Sequence, residues 1–179
     1  MNLLLNYRNL IARIDSLTRG IAEELQSSIT CHAGCSSCCT SITIFPVEAA
    51  ALNAALDGLP SEESAAIRKQ VASNVEGERC PLLLDNRCIL YENRPVICRT
   101  HGLPITFSEN NNQLLDCCPL NPLDCKSLPG SAVIDLDRLN ALLVAVNSLF
   151  LKESGFNSES MQRLTIVEAV AGKFKCPKS

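Results

Sequence analysis

The chain has 179 residues, 46% hydrophobic and 20% charged, with 16 basic and 19 acidic side chains for a formal net charge of −3. That is enough for one domain with a hydrophobic core, and the composition is that expected of a soluble globular protein. No Lys/Arg block stands out and no stretch approaches the roughly 20 apolar residues of a membrane span, so neither nucleic acid nor a membrane is expected as a partner.

The N-terminus holds only three consecutive leucines before Arg8, Arg13 and Asp15. A secretory leader needs a longer apolar core, so the reading is cytoplasmic and reducing. Residues 2–28 predict an amphipathic helix, with Leu3, Tyr7, Leu10, Ile14, Leu17, Ile21 and Leu25 recurring every three or four positions. The stretch CHAGCSSCCT follows at 31–40. A helix is expected from Pro46 to Asp57, because Pro46 suits a first turn, Glu48 favours the positive end, and Gly58 and Pro60 mark the stop. Another starts at a Ser61 cap and fades near Gly77.

The middle reads differently. Apolar runs at 82–84 and 89–91 flank Asp85-Asn86-Arg87, which predicts a β-hairpin. Arg94-Pro95 opens one helical turn carrying Cys98. A second hairpin is expected around SENNN, with Asn110, Asn111 and Asn112 at its tip. Helix then returns from an Asp135 cap, with Leu136, Leu139, Leu143, Val146 and Phe150 on one face. A last helix is expected from a Ser158 cap to about Gly172. The fold class is mainly α with a small irregular β-hairpin region (α+β). The expected organisation is a single domain over 1–179, a metal-binding core at about 31–125, and flanking helices at 2–28 and 135–173.

There are eleven cysteines: Cys31, Cys35, Cys38, Cys39, Cys80, Cys88, Cys98, Cys117, Cys118, Cys125 and Cys176. The number is odd and the compartment reducing, which points to metal or redox chemistry rather than a disulfide framework. On a helix Cys31, Cys35 and Cys38 would fall within roughly 60° of one another, though Gly34, Ser36, Ser37 and Thr40 favour turns. Cys80 and Cys88 bracket the first hairpin, whose pairing brings opposed residues within roughly 5 Å. Cys98 follows, with His101 three residues on. Neighbouring side chains diverge, so the doublets Cys38-Cys39 and Cys117-Cys118 suggest a multinuclear centre or one ligand beside one packing residue. Crowded thiolates repel unless a cation compensates, and a metal supplies one. Thiolate sites suit Zn2+ and iron–sulfur clusters alike; only Cys35 to Cys38 forms a clear C-x-x-C, and no standard ferredoxin spacing is matched.

The segments CHAGCSSCC, CPLLLDNRCILYENRPVICRTHGLP and CPLN resemble the YkgJ-like cysteine-cluster family, a zinc- or iron-chelating domain with a CxxCxxCC-type signature. The resemblance is strongest over 31–39 and 80–104. It implies that Cys35, Cys38, Cys39, Cys80, Cys88 and Cys98 are metal or cluster ligands, with Cys31 and Cys118 as further candidates. The spacing from Cys31 to Cys35 is one residue longer than the family's simplest form. Cys125 and Cys176 lie outside the motifs and are not expected to be ligands. Arg94 is either a solvated helix-start residue or a cation that offsets cluster charge or pairs with Glu92. Tyr91 is expected to pack over the hairpin, His101 to be an ordinary polar residue or else a zinc or iron ligand or a donor to one, and His32 to be a weaker candidate.

Three functions compete on this reading. The first is a metal-binding protein that holds an iron–sulfur cluster, zinc or iron, for redox work or metal handling. The second is a structural zinc module serving a protein partner. The third, which the resemblance implies through a flagellin lysine methylase that shares the motif, is a protein-modifying enzyme. No G-x-G-x-x-G, P-loop, G-x-S-x-G or H-E-x-x-H motif accompanies it.

Overall fold

In the computed structural model, which describes residues 2–74, 77–124, 127–156 and 162–171, the chain opens with helix α1 over Leu5–Glu24. Tyr7, Leu10, Ile14 and Ile21 form its buried stripe, while Leu17, expected on that stripe, is 46% exposed. The helix stops short of residue 28 because Glu23 and Glu24 crowd its negative end with no basic partner in the last turn, and two weak helix formers, Ser27 and Ser28, follow.

Strand β1 (Thr43–Ile44) leads into α2 (Pro46–Asp57), whose bounds match the expectation from Pro46, Glu48 and Gly58. Helix α3 covers Ser61–Ser73, with Pro60 rather than Ser61 at its cap. The first hairpin pairs β2 (Leu83–Leu84) with β3 (Arg87–Cys88). Asp85 and Asn86 both take positive φ, 49° and 59°, as a two-residue hairpin turn requires. A 3-10 turn at Tyr91–Asn93 precedes α4, Val96–Thr100, which carries Cys98. The second hairpin joins β4 (Ile105–Glu109) to β5 (Asn112–Asp116) through Asn110 and Asn111. Strand β6 (Ile134–Asp135) adds to β4 in parallel and runs into α5 (Leu136–Glu153), which Asp135 caps by accepting the Arg138 N–H at 2.9 Å.

The C-terminal segment departs from expectation. Residues Leu164–Thr165 form strand β7, paired antiparallel with β1, and helix α6 covers only Ile166–Val170. Arg163 donates to the Thr43 carbonyl at 2.7 Å, and Thr165 and Glu168 cap the short helix reciprocally. A β-branched residue at the helix entrance thus starts the helix later than periodicity suggested. The expected cap Ser158 and end Gly172 lie outside the described residues.

Helix α2 is buried on both sides. Val47 and Ala50 face Tyr7, Leu10 and Ile14 of α1 and Leu139, Leu143 and Phe150 of α5. Ala49, Leu52 and Leu56 face Val71 of α3, Leu82 and Leu90 around the first hairpin, and Ile166, Ala169 and Val170 of α6. Each fully buried Leu contributes about 1.5–3 kcal/mol, so these two layers stabilise most of the fold. Helices with small sheets make this an α+β architecture, as expected. No helix among the described residues is long and apolar enough to cross a membrane.

Candidate metal centre

Turns, a hairpin and one helical turn position the cysteines. Residues 31–39 form consecutive turns, with Cys35 N–H bonded to the His32 carbonyl and Cys39 N–H to the Ser36 carbonyl, both at 3.0 Å. Gly34 (φ +96°) supplies a conformation that side chains disfavour. Residues 39–41 then zip against 78–80: Cys80 N–H reaches the Cys39 carbonyl at 3.0 Å and Ser41 N–H the Glu78 carbonyl at 2.9 Å. From Cys80 the chain enters the hairpin, where Cys88 pairs with Leu83. Cys98 sits on α4, whose start is anchored by Glu48. This carboxylate, 2% exposed, accepts the Phe45 N–H at 2.8 Å and the Val96 N–H at 2.9 Å, joining the first turns of α2 and α4. Arg99, on the same turn as Cys98, grips Asp15 of α1 at 2.6 and 2.8 Å and donates to the Glu92 and Arg94 carbonyls.

Asn121 ties the remaining cysteines together. Its side-chain oxygen accepts the Thr30 N–H at 2.8 Å, its amide nitrogen donates to the Gly102 carbonyl at 2.6 Å, and its N–H bonds the Cys118 carbonyl at 3.0 Å. Gly102 has φ +89°, and a Cβ there would lie 2.7 Å from Cys31 Sγ. No larger residue fits without moving that sulfur.

Seven of the cysteines marked by the sequence line one cavity of about 570 Å³: Cys31, Cys35, Cys38, Cys39, Cys80, Cys88 and Cys98. The eighth, Cys118, acts electrostatically on Cys31. All eight are free thiols. Burial first, and then the Cys80, Cys88 and Cys39 thiols, push the Cys98 thiol up to about 12. Burial also raises Cys80 and Cys88, although the Leu82 and Leu90 N–H groups donate to their sulfurs and Arg94 pulls Cys88 back down. Cys39 is raised by burial, then by Cys80 and Cys88, with Arg79 opposing. Cys31 is raised by burial, then by Cys118, Cys35 and Cys38, and Cys38 by burial, then by Cys39. Thiolates are therefore disfavoured in this cavity unless a cation enters it.

Among the described residues, no three His, Cys, Asp or Glu side chains converge at the spacing of ligands to one ion. The thiols surround a space rather than a point. Cys117 is disulfide-bonded, so the expectation of a fully reduced chain fails there, and the doublet divides into a bonded Cys117 and a free Cys118. Cys125 and Cys176 lie outside the described residues. Tyr91 lines the cavity together with Leu83, Arg87 and Cys88 of the hairpin; it is 57% exposed, with the Arg94 guanidinium 3.9 Å above its ring. Arg94 donates to the Tyr91 carbonyl and lowers Cys88, so the charge-offsetting role fits it. His101 donates from its ring to the Cys38 carbonyl, and burial lowers its pKa, leaving it a neutral support for the first cysteine loop. His32 is exposed beside the Ala33 carbonyl. Sequence reasoning missed Glu48 and Asn121 as supports. Glu48 reads as an ordinary helix-start acid, and only the Asn in CPLN hinted at Asn121.

The donor set suits zinc or iron. It is all thiol, it carries backbone N–H groups aimed at sulfur, and Arg79 and Arg94 offset thiolate charge. No curated protein and no solved structure matches the chain. A family model described as "CxxCxxCC: Putative zinc- or iron-chelating domain" matches residues 30–127, which span every one of these eight thiols. More than half of the chain is covered by that match, and the protein belongs to the CxxCxxCC zinc- or iron-chelating family.

Proposed function

We propose that the protein binds iron or zinc through the thiolates of this cavity and that the finer reading is an iron–sulfur protein with a redox role. The observation that supports it is the gathering of seven free thiols from three chain segments, the turns at 31–39, the first hairpin and α4, around about 570 Å³. One tetrahedral zinc uses four thiolates, so this donor set is too rich for a single mononuclear ion. Metal entry removes the protons that burial and mutual repulsion hold on the sulfurs. A cluster bound there would supply one-electron chemistry. The Leu82 and Leu90 N–H groups and Arg94 would tune its potential through the sulfurs of Cys80 and Cys88.

The test compares metal content in the wild-type chain and in one with Cys39, Cys80, Cys88 and Cys98 all replaced by Ser, both purified without oxygen. The reading expects the substituted chain to lose metal. Equal metal in both would overturn it. A colourless wild type with stoichiometric zinc and no labile sulfide would replace the redox role with a structural one.

A further inference from the structure

Helix α5 buries Leu139, Leu143, Asn147, Phe150 and Leu151 and turns a second apolar stripe to solvent. Leu142 is 49% exposed and Leu149 46%, with Ala145 exposed between them. Arg138 and Lys152 extend the stripe at its ends, so the exposed positions 138, 142, 145, 149 and 152 alternate in steps of four and three. That is the heptad spacing of a coiled-coil seam, with both leucines at the same heptad position one repeat apart. Val144, also exposed, lies outside it. A lone exposed leucine is ordinary on a protein surface, but two in register on one helix make a patch. The helix has 18 residues and is about 27 Å long, and none of them lines the cysteine cavity.

The charges at the two ends of the stripe select its occupant. Asp137 and Arg138 stand at one end, Lys152 and Glu153 at the other. A helix that lies on an anionic membrane carries a basic border, and this border is mixed. The order of charges instead complements itself. We propose that α5 is a self-association face, along which two copies of this chain pair antiparallel with the two-fold axis passing between Ala145 and Val146. That axis sets Leu142 against Leu149 of the second copy and Arg138 against Glu153 of the second copy, and symmetry makes each contact twice. The small Ala145 near the axis lets the helices approach closely. Among the described residues, neither Arg138 nor Glu153 forms an ion pair within the chain. Lys152 falls on the other edge of the seam, towards Asp137 of the second copy, whose carboxylate also accepts the Ser108 N–H at 2.8 Å. One helix pair falls at the low end of interface sizes, below roughly 1,200 Å², so the association is reversible and follows protein concentration.

Sedimentation equilibrium of the full-length chain tests this, without oxygen so that the exposed thiols of Cys31 and Cys38 do not cross-link copies. Over roughly 5–500 µM, the range of a weak interface, the average mass should climb from one chain towards two. A mass fixed at one chain throughout would overturn the proposal. Leu142→Glu puts a charge into the seam at an exposed position, so it should keep the helical circular dichroism and stay monomeric at every concentration. A Leu142→Glu chain that dimerises as well as the wild type would move the contact to another face and overturn the proposal too. Arg138→Glu alone should weaken the dimer several-fold, and adding Glu153→Arg should restore it, because the reversed pair attracts again. No recovery in the double variant would contradict the antiparallel register.

Discussion

Gly102 is where one residue decides the position of a sulfur. Its φ of +89° already disfavours a side chain, and a Cβ would meet Cys31 Sγ at 2.7 Å. Gly102→Ala should cost about 1–2 kcal/mol in strain and displace Cys31, weakening metal binding more than the stability loss explains. A urea titration beside a metal-competition assay separates the two effects; unchanged affinity would mean that Cys31 is not a ligand. The thiols also give the protein a pH signature. Burial holds Cys31, Cys38, Cys39, Cys80, Cys88 and Cys98 protonated above the ordinary thiol value of 9.0, with Cys98 pushed up to about 12. The stability this adds to the metal-free fold is full below pH 9.0 and is lost as pH climbs towards the folded values. Metal binding runs the other way, because it consumes thiolate: affinity should rise with pH and fall on acidification. Thermal melts of metal-free protein between pH 7 and 10 check the first claim, and a falling melting temperature is expected. A flat profile would mean that the thiols titrate as in an unfolded chain.

At the scale of elements, α2 and α4 are joined by one buried carboxylate. Glu48→Ala would leave the Phe45 and Val96 N–H groups without their acceptor, at about 1–3 kcal/mol for each buried donor. The turn that carries Cys98 should loosen as well, so metal should leave faster from that side of the cavity. Stopped-flow transfer to a chelator reads that rate; wild-type kinetics in a destabilised variant would make Glu48 purely structural. The pairing also shows what a sequence can and cannot display. Local signals were sufficient for α2, with Pro46 and Gly58 at its ends, and for both hairpins, whose turns need the positive φ that Asp85, Asn86, Asn110 and Asn111 adopt. They failed for α6, because the strand at Leu164–Thr165 depends on a partner more than a hundred residues away. No periodicity carries a contact of that kind. Glu48 and Asn121 were invisible as supports for the same reason: their partners come from distant segments.

Across the whole molecule, two apolar layers flank α2, and the cysteine cavity lies at the margin of one of them, where Cys80 and Cys88 pack against Leu82 and Leu90. Spacing and motif pointed to a gathering of thiols, and seven of the eight marked cysteines line one cavity. The ties that hold them there were not legible, because the Cys39–Cys80 backbone bond and the contacts of Asn121 join distant segments. A metal here would bind only the folded arrangement, so its removal should lower the melting temperature, and restoring it should reverse the loss. Differential scanning calorimetry of loaded and stripped protein checks this, and identical melts would argue against a role in holding the fold. The most direct measurement is elemental analysis with a visible spectrum on the chain purified without oxygen. The account predicts stoichiometric iron or zinc, with brown colour and labile sulfide if the centre is a cluster. A chain free of both metals, with all eight thiols open to a thiol reagent, would contradict it.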